Sequence, residues 1–323
     1  MKHFYQTLLL ISASTVLLLP SQSCNEDVEA TSTANKVEVE NKSGATPFVL
    51  SDDFRTYWYS GKAEVSSYHL QQARYGEIHD GNAVLIFVTE DFSRSKQVKL
   101  DHPENAGADK LPVMKMNMEK KFNTGIYSYS MMLSVFKPID INNELHAIKE
   151  TATVQEWCGN AYTQLNLRDK KNEVTVNSYF ENEGDQQFSF NTSWLEDELW
   201  NLIRIAPDHL PTGDQTILPG FFFTRLSHVP LELQKANLSL IEENGTMKYT
   251  MEVAAEQHTL IIHFQKEFPY RILAWEETFP GFDGKLLTTT AVLNKTIISD
   301  YWVHHKYDDR SLRELLGLPK DSQ

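Results

Sequence analysis

Between Phe48 and Tyr307 apolar and polar residues alternate with a period of two. Thr163, Leu165 and Leu167 alternate with Gln164, Asn166 and Arg168, and Tyr249, Met251 and Val253 with Thr250 and Glu252. Leu260, Ile262 and Phe264 continue the habit, and Tyr127, Tyr129, Met131, Leu133 and Val135 share one side of another run. This spacing predicts strands with one buried and one wet face. Ala83 to Val88 is apolar on both sides, which places it centrally in a sheet. Asp80-Gly81, Asn244-Gly245, Asp283-Gly284 and Gly184 after Glu183 supply turn residues between such runs, so neighbouring strands pair antiparallel. The expected fold is mainly β: a curved antiparallel sheet or open barrel-like sandwich of about a dozen strands.

Two stretches break the period. Ser193 opens a capping box with Glu196, and Leu195, Leu199, Leu202 and Ile203 form an apolar stripe, predicting a helix over 193–205 that plugs or covers the sheet and stops before Pro207. A short helix from Ser311 to Leu316 ends at Gly317.

The first 24 residues have a different character. Lys2 and His3 precede a 12-residue apolar core, Leu8 to Leu19, too short for a spanning helix, which needs about 20 apolar residues. Ser21-Gln22-Ser23-Cys24 follows, and small residues before a lone cysteine resemble the cleavage box of bacterial lipoproteins, with Gln22 departing from the strict box. The resemblance implies a lipidated Cys24 at the mature N-terminus; an ordinary signal peptide is the alternative. Asn25-Glu26-Asp27 resembles the acidic export tag of Bacteroidota-type surface lipoproteins, leaving both sides of the outer membrane open. Residues 25–47 hold no aromatic and read as a flexible tether reaching roughly 25 Å. The expected organisation is a signal peptide over 1–23, a tether over 24–47, one β-rich domain over 48–307, and a helix and tail over 308–323.

Composition narrows the functions. With 30 Lys and Arg against 44 Asp and Glu the net charge is −14, which argues against nucleic-acid binding. Two cysteines exclude a disulfide framework. No Gly-x-Ser-x-Gly elbow, phosphate-cradling loop, His-Glu-x-x-His pair or Cys-x-x-Cys occurs, and no cofactor is expected. His258 and His263 fall on opposite strand faces and cannot share a metal, so no metal site is expected. Glu276 and Glu277 also project to opposite faces, so at most one serves a cleft. Glu196, Asp197 and Glu198 suit the positive end of a helix. Cys158 reads as a small buried residue. The most site-like group is Arg74, Tyr75 and Glu77 at a strand end, with Arg168 and Arg225 as similar charges able to recognise a carboxylate or phosphate head group.

The stretches Trp58 to Val65, Gln72 to Glu77, Ile86 to Phe92, Lys121 to Gly125, Gln155 to Gly159 and Leu195 to Trp200 together resemble uncharacterised lipoproteins of Bacteroidota-type bacteria, over about residues 55 to 230. Such proteins sometimes carry the label "septum formation inhibitor Maf". True Maf proteins are cytoplasmic pyrophosphatases with a Ser-x-Ser-x-Arg-Arg loop; this chain has no Arg-Arg pair, so the label is misapplied. The strand-rich plan is similar to curved-sheet envelope proteins that hold lipid or glycan, and the expectation is an envelope protein attached to the membrane through Cys24 that binds an apolar or amphipathic ligand, such as a lipid or glycan, or an envelope protein partner. The expected function is non-enzymatic, and the alternative is an envelope hydrolase acting on glycan or peptide.

Overall fold

One-sided alternation becomes a sheet because each strand must cover its apolar face. The computed structural model describes Val37–Glu38 and residues 47–320. After β1 (Val37–Glu38) and helix α1 (Asp52–Trp58), eight strands follow as a meander: β2 (Ala63–Arg74), β3 (Glu77–Ser93), β4 (Lys110–Thr124), β5 (Tyr127–Pro138), β6 (Lys149–Glu156), β7 (Gly159–Arg168), β8 (Lys171–Ser178) and β9 (Gln186–Asn191). Then come β10 (Trp194–Leu195), α2 (Glu196–Ile205), β11 (Gly213–Leu218) and α3 (Phe221–Ser227). A second meander completes the sheet: β12 (Gln234–Glu243), β13 (Thr246–Val253), β14 (His258–Gln265), β15 (Ile272–Pro280) and β16 (Leu286–Ser299), before α4 (Ser311–Leu315).

Fifteen strands lie on one path, β10 to β16, then β2 to β9, and β1 pairs the end of β12. Pairing is antiparallel except between β10 and β11. The sheet is not closed by hydrogen bonds, yet its two edges are consecutive in the chain. Only Thr192 and Ser193 separate β9 from β10; Thr192 N donates to Lys170 O (3.1 Å) on one side and Ser193 Oγ to Thr216 O (2.7 Å) on the other. Three peptide steps reach about 11 Å, so the sheet must roll until its edges face each other.

Inside the roll lies α2, with every residue buried. Trp200 packs edge-on to Trp275 (5.3 Å between centroids), which meets Tyr68 at 4.8 Å. Each fully buried large apolar side chain contributes about 1.5–3 kcal/mol. The helix cap falls two residues later than the capping box predicts: Trp194 and Leu195 bridge to Ile217 and Leu218, and Glu198, not Glu196, reaches back to Leu195 N. Asp80-Gly81 is not a turn either, since it lies inside β3. A Cβ on Gly81 would sit 2.5 Å from Lys121 O, so this glycine serves close strand approach. The hairpin turns instead at Tyr75-Gly76, both with positive φ. The two-faced apolar run at Ala83 to Val88 is explained by Leu316 and Leu318, which follow α4 and cover Val65, Val84 and Val88 on the outer face.

In a meander alternate turns share an end. One end, the mouth, gathers Tyr75-Gly76, Gly125-Ile126, Trp157-Cys158, the 179–185 and 281–285 loops, and the C-terminus of α3. At the opposite end Asn142 clamps Phe48, accepting from its N–H (2.9 Å) and donating to its carbonyl (2.8 Å). Cys24, the expected signal peptide and most of the expected tether lie outside the described residues.

Candidate functional site

At the mouth, α3 delivers Arg225 between two carboxylates. Its Nη2 donates to Glu156 Oε1 (2.7 Å) at the end of β6, and its Nη1 to Glu183 Oε1 (3.2 Å) in the 179–185 loop. The guanidinium lies 4.0 Å from the Phe180 ring centre, and its buried Nε has no hydrogen-bond partner. His228, in the left-handed conformation just past α3, donates from Nδ1 to the same Glu183 oxygen (2.8 Å). Burial would raise the Glu183 pKa, but His228, Ser178 and Arg225 together hold it below the usual range. Around this fork lies a cleft of about 540 Å³ lined by Phe180, Glu183, Arg225, His228, Leu231 and Phe282.

Arg74 stands beside it at the end of β2. Its guanidinium stacks on Tyr75 (4.4 Å) and faces Phe282 (5.5 Å); Nη1 donates to Leu226 O and Nε to the Tyr129 hydroxyl (3.3 Å). Tyr127 donates to Glu156 Oε2 (2.6 Å), and its hydroxyl is 3.1 Å from Cys158 Sγ. Burial pushes the Tyr127 pKa up, with Cys158 and Glu156 adding to it. Tyr75, Trp157, Tyr179 and Phe282 stand exposed on the surrounding tips. Arg74 and Arg225 balance Glu156 and Glu183 in charge, and Arg225 already spends its fork on carboxylates. The arrangement therefore suits a ring-bearing, hydroxyl-rich molecule better than a lone strong anion: aromatic faces stack, and carboxylates accept from hydroxyls.

A second polar assembly lies around α2, buried except where His146 reaches the surface. Arg204 grips Glu64 with both Nη atoms (2.7 and 2.9 Å). Glu198 accepts from Lys137 Nζ (2.9 Å), His146 Nδ1 (2.8 Å), Ala147 N (2.5 Å) and Leu195 N (3.2 Å). Burial alone would raise its pKa, but Lys137 and His146 bring it to about 2. Glu196 differs: its hydrogen-bond donor is Gly220 N (2.8 Å), and burial pushes it up to about 7, only partly opposed by His258. His258 stacks flat on Phe223 (3.7 Å), its Nδ1 3.7 Å from Glu196 and its Nε2 3.7 Å from Glu277.

Arg74, Tyr75 and Arg225 are thus brought to one end. Glu77 is exposed at the start of β3, opposite Arg74 in register, and does not line the cleft. Arg168 lies at the other end, donating to Ser95 O (3.0 Å). Cys158 is exposed at the tip of the β6–β7 turn, contrary to the buried residue expected, because the hairpin turns at Trp157-Cys158 and β7 already begins at Gly159. Glu156, Glu183 and His228 escaped sequence reasoning because only the roll brings their loops together. His258 and His263 do face apart: His258 is buried, His263 partly exposed. Glu277 is the buried member of its pair.

Comparison with protein-family models, curated proteins and solved structures finds no match to this chain. Among the described residues no helix is long and apolar enough to cross a membrane.

Proposed function

We propose that this is a non-enzymatic, lipid-anchored envelope protein whose mouth cleft binds an amphipathic ligand, with a ring-bearing glycan or glycolipid head as the favoured chemistry. The observation that carries the reading is the Arg225 fork between Glu156 and Glu183, beside Phe180 and Phe282 in a cleft of about 540 Å³. A small-ligand site typically offers this size and this mixture of apolar lining with a few converging polar groups. The sheet interior is occupied by α2, so the ligand belongs at the mouth and not between sheet faces. Lipidation of Cys24 would anchor the protein in the outer membrane, facing the periplasm or the surface.

Native mass spectrometry of a Cys24→Ala chain recovered from a periplasm tests the binding. Extra mass lost on denaturation, and missing from Arg225→Ala, is the expected result. Bare chain mass, with no crosslink from mouth residues to an envelope partner, overturns the reading.

One observation favours an envelope hydrolase as a second reading. Glu198 orients His146 through Nδ1, and His146 lines clefts that also hold Thr192, whose buried hydroxyl has no hydrogen-bond partner. An imidazole so oriented is what a general base requires. Hydrolysis of envelope glycan or peptide that disappears in His146→Asn would establish it, and hydrolysis absent from the unaltered protein would end it.

A further inference from the structure

The ion pairs inside the roll come in two kinds. Lys137–Glu198 and Arg204–Glu64 close to 2.9 and 2.7 Å, as buried charge-assisted contacts do. Around His258 every contact stands open: 3.7 Å to Glu196, 3.7 Å to Glu277, and 3.4 Å from Glu277 to Lys120. All four side chains are at least nine-tenths buried, and neither ring nitrogen of His258 has a hydrogen-bond partner.

Charge adds an independent constraint. Glu196, Asp197 and Glu277 bring three formal negative charges into this region, and Lys120 returns one positive. With all three ionised and His258 neutral the balance is two negative, a charge that a dry interior does not tolerate uncompensated and that a divalent cation, or protons on Glu196 and His258, would cancel.

We propose that Glu196, His258 and Glu277 bind one divalent transition-metal ion, linking α2 to β14 and β15. One ligand atom from each of the three lies within 4.8 Å of the others. Metal bonds of about 2.0–2.2 Å place neighbouring ligands roughly 3–4 Å apart; one ring nitrogen faces the ion, the 3.7 Å from it to its carboxylate fits that spacing, and the other carboxylate closes from within 4.8 Å. Imidazole with two carboxylates selects zinc, manganese or iron(II) over calcium or magnesium. Burial makes the role structural: the ion fastens the start of the plug to the inner wall of the sheet.

The test is metal analysis of the mature chain, stripped with a chelator and reloaded with zinc chloride. One zinc per chain, a melting temperature raised by about 5 °C and loss of both in a folded His258→Ala chain are expected. If that variant does not fold, Glu277→Gln preserves the shape and should still lose stoichiometric zinc. X-ray absorption at the zinc edge of the unaltered protein decides independently, with one imidazole and carboxylate oxygens expected. No zinc or manganese uptake with unchanged melting, or uptake undiminished in His258→Ala, overturns the proposal.

Discussion

Glu196 and Glu198 are two residues apart on one helix, equally buried, and electrostatically opposite. Glu198 collects four donors within 3.2 Å and stays ionised down to about pH 2; Glu196 holds one and is pushed up to about 7. Burial is common to both, so burial does not decide whether an interior carboxylate is settled. The charges around each decide it: Lys137 and His146 hold Glu198 low, while Asp197 and Glu277 add to the burial that raises Glu196. Glu198 meets a loop, 144–148, that offers Ala147 N–H and His146, while Glu196 meets the regular inner face of β14 and β15, where backbone groups are already spent in the ladder.

The largest effect should come from stripping the settled end. Lys137→Met leaves Glu198 buried without its ammonium partner, and urea unfolding should show a loss of about 3–5 kcal/mol. A loss below about 1 kcal/mol would mean that Glu198 does not depend on Lys137. Acid should act next. Burial raises Glu64, but Arg204, Tyr57 and Arg271 outweigh it and hold the carboxyl below its usual range. A carboxyl depressed in the fold contributes stability that is fully present above its ordinary pKa, near 4.5, and fades as pH falls through the lower folded value. Stability followed from pH 6 downward should therefore drop below about pH 4.5, and Glu64→Gln should flatten part of that fall.

Glu196→Gln sharpens the contrast from the other side. In metal-free protein it should cost less than about 1 kcal/mol, since it removes a buried charge with few partners; a loss matching that of Lys137→Met would erase the distinction. Smallest is Arg168→Ala. Its contacts are a carbonyl and a loose 3.8 Å pair with exposed Glu173, so unfolding should shift by no more than about 0.5 kcal/mol.

The sheet was legible in the sequence because its signals are local. Alternation in β5, β7, β13 and β14, and the Asn244-Gly245 turn, report on neighbours a few residues away. Asp80-Gly81 misled because the same pair that favours a turn also permits the close approach of β3 to β4. Arg74 announced itself as a charge at a strand end, whereas Arg225, expected beside an apolar strand, lies in helix α3, and nothing near Glu156 or Glu183 in sequence says that both close on its guanidinium. Glu196, His258 and Glu277 were hidden for a related reason. Each has an ordinary local explanation, at a helix start or on a strand face, and only the rolled geometry makes them one group.

The path of the sheet also sets an order of events. Most neighbours in it are successive hairpins, which form as soon as their chain is available. The exception in the middle is β2 with β16, where Leu70 meets Ala291, more than 200 residues later. For a chain released from its N-terminus, the first meander must wait for the last strand before β2 has both neighbours. Until β16 arrives, the edge of β2 that it will cover stays exposed and able to pair with another chain.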